Sequence, residues 1–121
     1  MAKDMRISLL LDFYGDMLTK KQREVIEYYY NDDLSLSEIA ENEGITRQGV
    51  RDAIKRAELQ LNEMEERLGF AKLSAELRSG LAQICGAAEK IKEINSRCSH
   101  VREIDGEAER ILAAVRALRD E

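Results

Sequence analysis

The chain has 121 residues, a formal net charge of −5, no proline, and charged side chains at 36% of its positions. Such a length suits one compact domain, or a small domain with an accessory element, and the acidic balance excludes nucleic-acid binding through overall charge. The chain contains no run of about 18 apolar residues and no apolar signal-peptide core near its start, so we expect a cytoplasmic protein without membrane insertion. Its two cysteines, Cys85 and Cys98, are interpreted as small buried thiols of a reducing compartment.

Three short helices are predicted in the first third of the chain. Apolar residues recur at helical spacing from Met5 to Met17. A capping box, in which Ser or Thr is followed three residues later by Glu or Gln, occurs at Thr19 and again at Ser35. The two caps predict a second helix that ends near Tyr30 and a third that ends near Asn42.

A helix-turn-helix is predicted between Leu36 and Lys55. Ala40 is small at the position where two helices would cross, and Gly44 suits the positive φ of the tight turn. Ile45 and Val50 are apolar where the second helix would pack on the first. Thr46 would cap this second helix, which is predicted to run to about Arg67 and to end at Gly69.

Basic side chains gather on the second helix of this motif, although the chain as a whole is acidic. Arg47, Gln48 and Arg51 lie in its first two turns, where arginine would pair with guanine and glutamine with adenine in a DNA groove. Lys55 and Arg56 lie further along and suit phosphate, as does Thr46 at the helix N-terminus. The predicted double-stranded DNA-binding residues are therefore Thr46, Arg47, Gln48, Arg51, Lys55 and Arg56.

The remaining residues, 71–121, are predicted to form long helices, as a helical hairpin or a coiled coil. An apolar stripe with heptad spacing consists of Leu77, Leu81, Ile84, Ala88, Ile91, Asn95 and Cys98. A turn or kink is expected between Ser99 and Gly106. A second stripe follows at Ile104, Ala108, Ile111, Val115 and Leu118. Because the helix-turn-helix module of residues 1–70 is complete without this segment, we expect residues 71–121 to build a homodimer in which Asn95 fixes the register.

The segment from Leu18 to Ala57 resembles region four of bacterial sigma factors. Leu18, Thr19, Arg23 and Glu24 match the opening of its first conserved helix. The sequences DFYG, at 12–15, and DLSLSEIAE, at 33–41, are similar to the narrower YlxM family of small helix-turn-helix proteins. This resemblance covers residues 5–70 strongly and the rest only in length and helicity.

The YlxM resemblance implies an all-α, non-enzymatic DNA-binding regulatory protein. It also implies, through gene neighbourhood, a link to the signal recognition particle pathway, whose components are then possible partners. The family pattern has Ala where this chain has Gly49. Because glycine costs about 0.5–1 kcal/mol in a helix relative to alanine, we expect Gly49→Ala to stabilise the protein by up to about 1 kcal/mol if the position is helical and exposed.

No pattern in the sequence indicates an enzyme, a cofactor or a metal site. His100 is the only histidine and has no neighbour at metal-ligand spacing, and no glycine-rich phosphate loop follows a predicted strand. Two functions remain open. One is a regulator that binds DNA through the helix-turn-helix, and the other is a protein-interaction adaptor of the secretion machinery that uses the same fold without binding specific DNA.

Overall fold

The predicted all-α fold is confirmed by a computed structural model that describes residues 3–119, in which no strand occurs. The described residues form two compact units, one ending at Ala71 and the other beginning at Lys72. The helices are α1 (Arg6–Tyr14), α2 (Lys20–Tyr30), α3 (Leu36–Glu43), α4 (Arg47–Leu68), α5 (Phe70–Ile94) and α6 (Arg102–Arg119). A short 3₁₀ turn, Gly15–Met17, follows α1, so the first α-helix is shorter than predicted.

The first unit is organised around α4. One face of this helix is fully buried and consists of Val50, Ile54, Ala57 and Leu61. The first two residues pack in a cluster with α2 and α3, and the last two pack in a cluster with α1 and α2. Leu68, predicted to lie on this apolar side, is exposed instead.

Side-chain caps begin α2, α3 and α4 at the predicted residues, which are Thr19, Ser35 and Thr46. In both predicted capping boxes, at Thr19 and Ser35, the hydroxyl accepts from the third helical N–H and the Gln or Glu side chain accepts in return. The Thr46 hydroxyl accepts from the Gly49 N–H at 2.9 Å. Gly44 has the predicted left-handed conformation, with φ of 65°, and it ends α3.

A buried tyrosine joins α1 to the junction of α4 and α5. The Tyr14 hydroxyl donates to Glu65 Oε1 at 2.6 Å and accepts from the Phe70 N–H at 3.1 Å. The same Glu65 oxygen accepts from the Ala71 N–H at 3.0 Å. Tyr14 and Glu65 thus satisfy two of the N–H groups that the first turn of α5 cannot bond internally.

The second unit contains an antiparallel hairpin of α5 and α6, one of the two arrangements predicted for this segment. The residues buried between the two helices are Ala88, Asn95, Ala108, Leu112 and Val115. Only part of each predicted apolar stripe is therefore buried. Leu77, Ile84 and Ile91 stay 57%, 49% and 42% exposed. Ile84 and Ile91 lie about 40° and about 60° around α5 from the buried Ala88.

Asn95 is buried at the turn of the hairpin and makes its side-chain hydrogen bonds within the chain. Its amide donates to the Val101 carbonyl at 2.7 Å and to Asp105 Oδ1 at 3.0 Å, and its carbonyl oxygen accepts from the Val101 N–H at 2.9 Å. These bonds fix the turn, so the prediction that Asn95 sets the register of a second subunit is wrong. The turn itself lies where it was expected, at His100 and Val101.

The prediction that both cysteines are buried is also wrong. Cys85 is half-buried, and Cys98 is exposed in the π-helical turn Asn95–Ser99 that ends α5. Cys98 would have continued the apolar stripe only if α5 had remained α-helical beyond Ile94. The wider π-helical turn rotates it out of that stripe.

Tyrosine ionisation is expected to destabilise the protein at alkaline pH. Burial, then the bond to Glu65, raises the pKa of Tyr14, and burial raises the pKa of Tyr30 to about 12, with the Glu58 carboxylate adding to it. Unfolded tyrosines lose their protons near pH 10, so the folded state binds more protons between pH 10 and about 12. The contribution of these two tyrosines to the free energy of unfolding should be constant below about pH 10. The free energy of unfolding should then fall as the pH rises from about 10 to about 12. Denaturant titrations at intervals from pH 9 to 12 measure this, and Tyr30→Phe should show a smaller fall. Equal falls in both proteins would contradict the assignment to Tyr30.

Gly49→Ala is expected to stabilise the first unit, although by less than a fully open helix position would allow. Gly49 is helical but half-buried, not exposed, and an added Cβ would lie 3.2 Å from Thr46 Oγ1. Gln22 and Glu38 occupy the equivalent position behind Thr19 and Ser35, where the capping bonds are 3.2 and 3.1 Å long. The Thr46 bond can therefore lengthen slightly and accommodate a methyl group.

Denaturant unfolding should accordingly show a gain of about 0.5 kcal/mol for Gly49→Ala, roughly half of the helix-propensity difference. Gly86→Ala provides the matched control, because a Cβ at this helical position meets nothing within 4 Å and should give the full gain. A loss of stability on Gly49→Ala alone would mean that the cap cannot adjust.

Candidate nucleic-acid interface

The structure contains a helix-turn-helix formed by α3 and α4. Ile39 and Ala40 of α3 pack against Val50 and Ile54 of α4 in one buried cluster. The N–H groups of Gly44 and Ile45 both bond to the Ala40 carbonyl, which closes the turn between the helices. Because Ala40 has only a methyl side chain at this point, the two helices approach closely and the start of α4 is held at the surface.

The predicted site residues are placed on α4 as follows. Thr46 is its exposed N-cap, Arg47 and Gln48 are exposed in its first turn, Arg51 is half-buried, and Lys55 is exposed one turn later. At about 100° per residue, the four helical side chains lie within about 100° of one another. They therefore form one face, which we call the basic face: Arg47, Gln48, Arg51 and Lys55.

Arg56 lies outside the basic face. It is exposed, but it is about 140° around the helix axis from Arg51. A helix inserted in a groove has a phosphate backbone on each side, so the position of Arg56 suits a different backbone from the one that Lys55 would contact. Lys55 and Arg56 are adjacent in the sequence, but in the helix their side chains point in different directions.

The charges of the basic face have no partner within residues 3–119. None of Arg47, Arg51, Lys55 or Arg56 forms an ion pair there, and Arg51 Nε is buried without a hydrogen-bond acceptor. Two acidic groups of α4 lie near this face. Glu58, seven residues after Arg51, accepts from the Tyr30 hydroxyl at 2.9 Å, and the Asp52 carboxylate accepts from Gln48 Nε2 at 3.0 Å. The Gln48 amide must leave this bond before it can use both donors elsewhere.

Two residues beside this face were not predicted from the sequence. Ser37 and Glu41 of α3 line a shallow crevice with Ala40, Gly44, Ile45 and Arg47. They lie four residues apart and are exposed, on the side of α3 opposite Ile39. Their common position could be inferred from the sequence, since residues four apart lie on one face of a helix. Glu41 gives the crevice a negative charge next to Arg47.

No group of three or more His, Cys, Asp or Glu side chains suited to a metal ion occurs in the part of the chain that the structure describes. Among the same residues, no helix is long and apolar enough to cross a membrane.

Comparison with known proteins agrees with this architecture. Residues 1–101 match the model of a family described as "UPF0122: Putative helix-turn-helix protein, YlxM / p13 like". A UPF0122 protein of Thermoanaerobacter sp. (strain X514) is 49% identical over 87 residues, which are 72% of this chain and 74% of that protein. A UPF0122 protein of Shouchella clausii is 39% identical over 106 residues, covering 85% of this chain and 97% of its own length.

A third relative, a UPF0122 protein of Acetivibrio thermocellus, is 47% identical over 96 residues, or 79% of this chain and 77% of the relative. The residues that match the family model, 1–101, include the whole helix-turn-helix, the basic face and α5. The predicted family is thereby confirmed, and this chain belongs to the UPF0122 family of YlxM/p13-like helix-turn-helix proteins.

Proposed function

We propose that the protein is a non-enzymatic, cytoplasmic regulatory protein that binds double-stranded DNA by inserting the start of α4 into the major groove. The observation that carries this proposal is the unpaired basic face at the exposed N-terminal end of a helix-turn-helix. These cations have no ion pair within residues 3–119. Phosphates and base edges would supply the missing acceptors.

Each residue of the site has a distinct part in this proposal. Arg47 and Arg51 would present bidentate donors to guanine, and Gln48 would pair with adenine after leaving Asp52. Burying the Arg51 Nε without an acceptor costs free energy, so turning this side chain outward to a base would relieve that cost. The Thr46 hydroxyl accepts from Gly49, and its own proton remains available for a phosphate oxygen.

Phosphate contacts would come from both sides of α4. Lys55 belongs to the basic face and Arg56 to the opposite flank, so the two cations would contact the two backbones that border the groove. Asp52 and Glu41 oppose this binding by repelling phosphate, and they limit the affinity that the four cations supply. We therefore expect modest affinity for random duplex DNA, with a strong dependence on salt.

A specific observation also favours the second function, a protein-interaction adaptor. Leu9, Phe13 and Met17 are large apolar residues four apart that remain exposed along the first segment of the chain. Leu9 and Phe13 lie on one side of α1 and Met17 lies in the 3₁₀ turn that follows it, and exposed apolar residues of this kind suit a partner helix or strand. The link to the signal recognition particle pathway, and to its components as partners, rests in both proposals on the family resemblance alone.

The two functions are separated by a salt titration of the full-length protein on random-sequence duplex DNA. The DNA-binding function predicts that log K falls linearly with log salt concentration, with a slope of about −0.9 for each phosphate contacted. Lys55→Ala should reduce that slope by about one, and it should weaken binding to all sequences alike. No binding at low salt would contradict the DNA-binding function and would favour the adaptor.

Base reading is tested by Arg47→Ala and Arg51→Ala on a duplex selected from a random pool. Each change should weaken specific binding by about 1–3 kcal/mol and broaden the sequence preference at one position. Arg67→Ala is the matched control, because it removes the same charge from the exposed last turn of the same helix. If both variants bind the selected duplex as tightly as Arg67→Ala does, α4 does not read bases.

A further inference from the structure

A second, unburied apolar stripe runs along α5. Its members alternate at spacings of four and three residues, the pattern of a coiled-coil seam. We call it the outer seam: Leu73, Leu77, Gly80, Ile84, Ala87, Ile91 and Ile94. All five of its large residues are between 42% and 57% exposed. At 100° per residue, the centre of this seam lies about 60° around α5 from Ala88 and Asn95, the residues that face α6.

The side-chain sizes along the outer seam read the same in both directions. Starting from Leu73, two large residues are followed by a small one, then a large one, a small one and two large ones, with Ile84 at the centre. A second α5 that ran antiparallel across Ile84 would therefore present a matching order of sizes. Gly80 and Ala87 would lie opposite each other and let the two backbones approach closely.

The charges beside the seam select the antiparallel direction. Glu76, Gln83 and Lys90 follow its outer edge at seven-residue spacing, and all three are exposed. Antiparallel pairing about Ile84 places Glu76 next to Lys90 of the second copy and Gln83 next to its own equivalent. Parallel pairing would instead place Glu76 beside Glu76 and Lys90 beside Lys90. Neither charge has an ion-pair partner within residues 3–119.

The hairpin leaves half of α5 uncovered and offers a groove beside the other half. Lys92 pairs with Glu109, so the end of α6 at Arg119 reaches only to about residue 82 of α5. Leu73 and Leu77 lie before that point. At the other end, an apolar groove between the two helices is lined by Ile91, Ile104, Ala108 and Ile111, with Glu103 and Glu107 at its rim.

We propose that the protein forms a homodimer in which the outer seams of two α5 helices pair antiparallel about a twofold axis at Ile84. This arrangement brings Leu77 of one copy opposite Ile91 of the other. The uncovered half of each α5 thereby fills the groove of its partner. Arg78, which also has no ion pair within residues 3–119, then lies near the acidic rim formed by Glu103 and Glu107. The proposal does not rest on DNA binding.

The first test measures the mass of the full-length protein in solution by sedimentation equilibrium at tens of micromolar. The wild type should sediment as a dimer of the 13.8 kDa chain. Ile84→Lys should raise the dissociation constant about 100-fold or more, because two unpaired charges would meet at the axis. Ser79→Lys adds the same charge to an exposed position about 140° around α5 from Ile84 and should leave the dimer intact. A monomeric wild type overturns the proposal.

The second test reverses the flanking charges and does not depend on any change to the seam. Glu76→Lys and Lys90→Glu should each raise the dissociation constant about tenfold, because each creates two like-charge pairs in the dimer. The double variant restores opposite charges in both pairs and should return to within about twofold of the wild type. A double variant that is as weak as the singles would exclude antiparallel pairing about Ile84.

The third test reports the register directly. In a chain with Cys85→Ser and Cys98→Ser, Gln83→Cys lies close to its own equivalent across the axis and should oxidise to a covalent dimer in high yield. Ser79→Cys in the same background faces away from the axis and should not. Equal cross-linking of the two variants would show that contacts between copies are random and would overturn the proposal.

Discussion

The burial of a single face of α4 is the constraint on which the first unit depends. Val50, Ile54, Ala57 and Leu61 are completely buried and contact three other helices in two clusters. A helix held along one side in this way must present its opposite side to solvent. The direction of the basic face therefore follows from core packing, and the cations themselves contribute nothing to placing it.

Different segments of α4 carry the cations and the residues that hold the fold together. Its first two turns carry the cations, its middle carries the shared core, and its last turns meet Tyr14 through Glu65. Glu65 is a carboxylate at a helix C-terminus, where the helix dipole disfavours negative charge. The Tyr14 hydroxyl and the Ala71 N–H compensate by donating to it, so α5 begins within hydrogen-bonding distance of α1.

In the second unit, two apolar stripes on one helix have different roles. A hairpin can bury only one side of α5, and the side with Ala88 and Asn95 is the one that packs on α6. Asn95 forms the turn with Val101 and Asp105. The larger residues of the outer seam are left at the surface. Their size order and flanking charges are those expected of a surface that pairs with a copy of itself.

Local sequence signals predicted the first unit closely. Capping boxes at Thr19 and Ser35, and the glycines at Gly44 and Gly69, act through bonds between residues two to five apart. These bonds are local, so the limits of α2, α3 and α4 were predictable to within about one residue. The first helix, which has no side-chain cap, ends earlier than expected, at Tyr14. The helix-turn-helix and its basic cluster followed, since Ala40, Gly44 and Val50 satisfy the short-range geometry of that motif.

The tertiary structure decided which surfaces face each other. Heptad spacing in residues 71–121 is compatible with several burial choices that differ by a rotation of the helix about its axis, and only packing against α6 selected one of them. The assignment of Asn95 failed for the same reason, because its partners Val101 and Asp105 come close only after the chain has turned. The separation of Arg56 from the basic face, the Asp52 bond to Gln48 and the unpartnered Nε of Arg51 likewise depend on a folded helix seated on its core. Residue types and short-range bonds can be inferred from the sequence, whereas the rotation of each helix about its axis depends on the packing of all the helices together.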